Sequence, residues 1–70
     1  MNRGKILLSE PQERLLLSLF DHAGIRSIDG NERRPLDALV GADLAVYHGA
    51  VAAKLTVAGE AEAFRRKIGG

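Results

Sequence analysis

Apolar residues return along this chain with two different periods. Between Glu10 and Gly24, the residues Leu15, Leu16, Leu19, Phe20 and Ala23 share one arc of a helix, with Glu13, Arg14, Ser18 and Asp21 opposite. This spacing predicts an amphipathic helix. Ser9 and Gln12 form an S-x-x-Q capping box at its start, and Pro11 falls in the first turn, where it does little harm. Gly24 suits a left-handed position after the last turn, with Ile25 packing back on Phe20. Leu17 lies outside the arc, between Glu13 and Asp21. It reads either as a tolerated surface leucine or as a contact for a partner protein.

The next segments are shorter. Arg26-Ser27-Ile28 reads as a brief extended link and Asp29-Gly30-Asn31 as a turn. Pro35 then opens a short helix to Val40, with Leu36, Leu39 and Val40 facing the core and Gly41 as its stop. Residues 42–56 fit two templates. As strands, Leu44–Tyr47 and Val51–Leu55 flank His48-Gly49, with Gly49 supplying a positive φ in a hairpin. As a helix, Leu44, Tyr47, His48, Val51 and Leu55 share a stripe, but Gly49 in mid-helix costs about 1 kcal/mol against alanine. That cost favours the hairpin.

In the last segment Thr56 is placed to cap a helix. Val57, Ala61, Phe64 and Ile68 recur at helical spacing and predict a buried stripe, with Phe64 and Phe20 anchoring one core together with Leu16, Leu19, Leu36, Leu39 and Leu55. Glu62 precedes Arg66 by one turn, a favourable order, and Arg65-Arg66-Lys67 complement the helix dipole. Residues 1–8 and 69–70 read as flexible ends. The expected architecture is therefore α+β, one domain ordered helix, helix, β-hairpin, helix. A small all-α bundle is the alternative.

Composition narrows the function classes. Seventy residues make one small domain, and 46% are hydrophobic, too many for a disordered chain. Much of that fraction is alanine, and there are only one tyrosine and two phenylalanines, so a dimer or a partner could supply part of the stability. No cysteine is present, which fits a reducing cytoplasm and removes thiolate metal sites; His22 and His48 come from separate segments. The apolar start Ile6-Leu7-Leu8 is too short for a signal peptide, and no run is long enough to span a membrane. A cytoplasmic protein without membrane attachment is expected. The net charge of +1 is small for nonspecific nucleic-acid binding, so local clusters such as Arg33-Arg34 matter more than the sum.

Catalytic constellations are missing. Asp21-His22 has no serine placed as its nucleophile, and neighbouring helix residues point in different directions. His22 reads as a cation at a helix C-terminus, and His48 as a turn residue. Gly24–Gly30 lacks the lysine of a P-loop, and Asp29–Glu32 lacks the ligand spacing of an EF-hand. A non-enzymatic protein with no cofactor and no metal is expected.

One stretch carries a resemblance. Arg33-Arg34, Leu36 with Leu39, Leu44 with Val46, His48-Gly49 and Leu55-Thr56-Val57-Ala58-Gly59 follow one another as in the C-terminal half of a compact winged-helix domain, whose wing often ends in "LT-x-AG". With Leu15–Gly24 as the first helix, about three-quarters of the chain resembles the small DNA-binding winged-helix regulators of bacteria and phages. The chain departs from that pattern in having room for two helices before the wing instead of three, and in a wing tip poor in charge. The resemblance implies double-stranded DNA as partner and the Pro35–Val40 helix as the recognition element. Arg33 and Arg34 would contact phosphates or a guanine edge, Ser27 and Asn31 would add phosphate hydrogen bonds, and Tyr47, His48 and Lys54 would form the wing side. Such a surface needs Arg26, Arg33, Arg34 and Lys54 on one face. The other function class is a module that docks on a partner protein through an exposed apolar patch including Leu17, with a homodimer as a further option.

Overall fold

The computed structural model describes residues 7–22 and 24–69. The expectation of a flexible 1–8 tail falls mostly outside them, although Leu8 packs against the core. Helix α1 spans Glu10–His22, strand β1 Arg26–Ser27, helix α2 Arg33–Gly41, strand β2 Ala45–Tyr47, strand β3 Ala52–Leu55 and helix α3 Val57–Gly69; a 3₁₀ turn, Gly30–Glu32, leads into α2. The α+β order of helix, helix, hairpin, helix is thus the one observed. The extended link does more than connect. β1 joins the hairpin, giving an antiparallel sheet in the order β1-β3-β2.

Local chemistry explains the boundaries. Ser9 N–H donates to Gln12 Oε1 (3.1 Å) and Gln12 N–H to Ser9 Oγ (3.4 Å), closing the capping box of α1. Gly49 has φ 82° at the hairpin tip, where His48 N–H donates to Ala52 O at 2.8 Å. α2 stops at Gly41, as expected, though not through a left-handed glycine. Gly41 is its last residue and Asp43 takes the left-handed position, φ 68°. Leu44 N–H reaches Leu39 O (2.9 Å) and Asp43 N–H reaches Val40 O (3.0 Å), the two bonds of a Schellman stop. Gly24 also differs from expectation: its φ of 153° is far from the left-handed helical value, and Ile25 stays nearly half exposed.

The core is almost entirely leucine and alanine. Leu15, Leu16 and Leu19 of α1 meet Leu36 and Leu39 of α2, over Leu44, Ala45, Ala53 and Leu55 of the sheet side and Ala63 of α3. Leu17 is half-buried and packs on this cluster, so it does not stand out on the polar face where the helical arc put it.

The last helix is turned over relative to expectation. Val57, Phe64 and Ile68 are 85%, 55% and 69% exposed, while Gly59, Glu62 and Ala63 are buried. The cause is a close approach. A Cβ on Gly59 would stand 1.8 Å from Leu44 O, so the bare backbone of Gly59 must face the sheet. Thr56 fixes the entry: its Oγ accepts Gly59 N–H (2.9 Å) and donates to Asp43 O (2.7 Å). At about 100° per residue, the stripe Val57, Ala61, Phe64, Ile68 centres about 170° from Gly59 and therefore faces water. Phe64 still touches Phe20, with ring centroids 6.4 Å apart, but it sits at the rim and not in the core.

Ion pairs stand beside Ala63 on the inward face of α3. Glu62 is 6% exposed and accepts from Arg65 and from Arg66 Nε (2.6 Å), while Arg66 reaches Glu13 of α1 at 3.2 Å. Burial alone would raise the Glu62 carboxyl; the two guanidiniums outweigh it and hold the group below the ordinary carboxylate range. Lys67 pairs with Asp21 near the C-terminal end of α1.

Candidate nucleic-acid interface

The start of α2 and the tip of the β2–β3 hairpin meet. Arg33 Nη1 donates to Ala50 O at 3.3 Å, its guanidinium lies 5.6 Å from the Tyr47 ring centre, and its Nε is 3.7 Å from Asp37 Oδ1. The Tyr47 hydroxyl donates to the same Asp37 carboxylate, one helical turn from Arg33. That hydrogen bond raises the phenol above its usual range. Four residues from two elements thus form one latch. The helix supplies Arg33 and Asp37, and the hairpin supplies a ring and a carbonyl.

The other expected contacts distribute unevenly. His48 is exposed at the hairpin tip, next to this latch. Arg34 is exposed but diverges from Arg33. It borders a shallow groove with Ser9, Pro11 and Gln12 at the start of α1, and it makes no ion pair among the described residues. Asn31 borders a second groove between α1 and the 3₁₀ turn, with Arg14 and Ser18. Lys54 lies opposite Val46 in register, and Ser27 opposite Ala52, on the solvent face of the sheet.

Arg26 is no free cation. Its guanidinium makes a two-pronged pair with Glu32, both contacts at 3.1 Å, with both side chains about three-quarters buried. Glu32 Oε1 also accepts Asp29 N–H at 3.0 Å. The Arg26 hydrogen bonds are the main cause of a lowered Glu32 carboxyl, against a smaller opposing effect of burial. The requirement that Arg26, Arg33, Arg34 and Lys54 share one face is therefore not met. Arg33 and Arg34 flank the start of α2, Lys54 sits on the sheet, and Arg26 is neutralised inside the fold. The sequence held only half of that signal: Asp29-x-x-Glu32 has the spacing of a capping box, which fixes Glu32 beside the turn but does not bring Arg26 to it. The partnership of Asp37 with Tyr47 had no such signal, since it depends on how α2 lies against the hairpin.

No protein family, curated protein or solved structure matches this chain. Among the described residues no helix is long and apolar enough to cross a membrane.

Proposed function

We propose that the chain is a small, non-enzymatic DNA-binding regulator of the winged-helix kind, acting in the cytoplasm, that sets the start of α2 and the hairpin tip on duplex phosphates. The observation that carries this reading is the Arg33 latch. By bonding Ala50 and stacking on Tyr47, Arg33 makes helix start and hairpin tip one rigid surface, with Arg34 and His48 at its edges. Rigid placement lowers the ordering cost when a guanidinium meets a phosphate. Asp37 offsets part of the charge, so each copy offers a small electrostatic footprint and modest affinity.

The test is binding to random duplex DNA across a salt series. Replacing Arg33 and Arg34 by alanine should reduce the slope of log affinity against log salt by up to about 1.8 if both contact phosphates. Both side chains are exposed, so circular dichroism should report an intact fold. Absence of binding at low salt, or an unchanged slope in the folded double variant, rejects the reading. A protein-docking role is the second reading, and the outward apolar stripe of α3 is the observation that favours it.

A further inference from the structure

Helix α3 carries its polar groups inward and its large apolar groups outward. Glu62 and Arg66 face α1, whereas Val57, Phe64 and Ile68 are more than half exposed along one line. Ala61 completes the line, and Phe20 extends it onto α1. A contiguous apolar line of this kind on a small domain marks an interface.

The line is asymmetric along its length. At its Val57 end lies a groove of 530 Å³, walled by Leu19, Phe20 and Leu55 and rimmed by Lys54 and Glu60. At its other end Ile68 projects from the last turn, beside Lys67 and behind Arg65. One end is a hole rimmed by one cation and one carboxylate, and the other is an apolar knob. Val57 and Ile68 are about 16 Å apart along the helix at 1.5 Å per residue.

We propose that two copies of this chain pair antiparallel along α3, the Ile68 of each copy entering the groove beside Val57 of the other. A two-fold arrangement satisfies both ends at once, because each copy offers one knob and one hole. It also brings Lys67 of one copy, which pairs with Asp21 of its own chain, towards Glu60 of the other. Glu60 makes no ion pair among the described residues, so the contact meets a free carboxylate. The opposed helix dipoles favour the same orientation. A parallel pairing would set groove against groove and leave both unfilled. The contact is one helix wide, below the size of standard interfaces, so the dimer should form in the micromolar range. The contact leaves Arg33, Arg34, Tyr47 and His48 uncovered, although Lys54 and Leu55 of β3 line the groove.

Sedimentation or light scattering over a concentration series should show the mass rising from 7.5 kDa towards twice that value. Ile68→Glu and, independently, Val57→Glu should weaken association at least tenfold while leaving the circular dichroism unchanged, since both side chains stand in water in the single copy. The chain contains no cysteine, so orientation can be read by disulfide trapping. An equimolar mixture of Val57→Cys and Ile68→Cys chains should cross-link to each other, and neither should cross-link efficiently to itself. A mass of 7.5 kDa up to millimolar concentration overturns the proposal, whether or not the stripe captures some other protein. So does a dimer that tolerates both glutamates, and efficient self-linking of Ile68→Cys overturns the antiparallel geometry.

Discussion

Gly59, in the first turn of α3, and Asp43, just past the end of α2, are each under a different backbone constraint. At Gly59 the nearest atom to a new Cβ is the Leu44 carbonyl oxygen, at 1.8 Å, and that oxygen already accepts Thr56 N–H at 3.0 Å. It cannot retreat without breaking the entry to α3. Gly59→Ala should therefore cost about 3 kcal/mol, the upper range for overpacking, and lower the melting temperature by more than ~10 °C in a domain of this size. Gly41, with open space around its missing Cβ, is the control; there alanine should be neutral or stabilising. Asp43 is the reverse case. It holds φ 68° without a side-chain partner among the described residues, and its bonds to Val40 and Thr56 are made by backbone atoms. Asp43→Gly should keep those bonds and relieve the left-handed strain, raising stability by about 0.5–1 kcal/mol, visible as a melting shift of a few degrees.

At the scale of elements, α3 buries the Glu62 carboxylate on its inward face beside its own Arg65 and Arg66, the latter reaching Glu13 of α1, which makes the packing of this helix pH-dependent. Glu62 titrates below its ordinary value in the folded chain, so its contribution is fully present above about 4.5, its unfolded value, and is lost as pH falls through the lower folded value. Glu62→Gln should be about 1–3 kcal/mol less stable than the wild type at pH 7, and the difference should shrink below pH 4.5 in urea titrations. Phe64→Ala should cost the single copy only about 1 kcal/mol, the value of a rim aromatic pair, instead of the larger loss of a core phenylalanine. This difference shows what could be read from the chain alone. Existence and order of the elements were legible because caps and turns are local: Ser9 with Gln12, Gly49 at the tip, Thr56 before α3. The rotation of α3 was not. Val57, Ala61, Phe64 and Ile68 do form a stripe, but periodicity says only that a face exists, not which neighbour covers it. Gly59 decided the matter through a contact with Leu44, fifteen positions earlier in the chain. The candidate site divides the same way. Arg33 and Arg34 at the helix start were legible from Pro35, whereas the loss of Arg26 to Glu32 depended on a fold that brings the link beside the turn.

For the whole molecule, the two proposals make a joint prediction that neither makes alone. One copy carries two exposed arginines at the start of α2 and a net charge of only +1, so its grip on duplex DNA should be weak and shallow in its salt dependence. A two-fold pair doubles the number of guanidiniums on one ligand. If the pair is the binding species, the two arginines of each copy add up to about 3.6 to the salt slope of the dimer, against about 1.8 for a monomer. Ile68→Glu, remote from Arg33 and Arg34 in sequence and placed on another helix, should then reduce the slope by about half and weaken affinity steeply, with the α2–hairpin latch untouched. Its binding should also lose the concentration dependence that coupled dimerisation imposes. Anisotropy titrations of the wild type, Ile68→Glu and the Arg33/Arg34 double-alanine variant, each at several salt concentrations, separate the possibilities. A wild-type slope equal to that of Ile68→Glu would place DNA contact in the single copy and leave α3 pairing to be judged by mass alone. A slope lost in the arginine variant but halved in Ile68→Glu is the expected result, because it requires both surfaces to act on the same duplex.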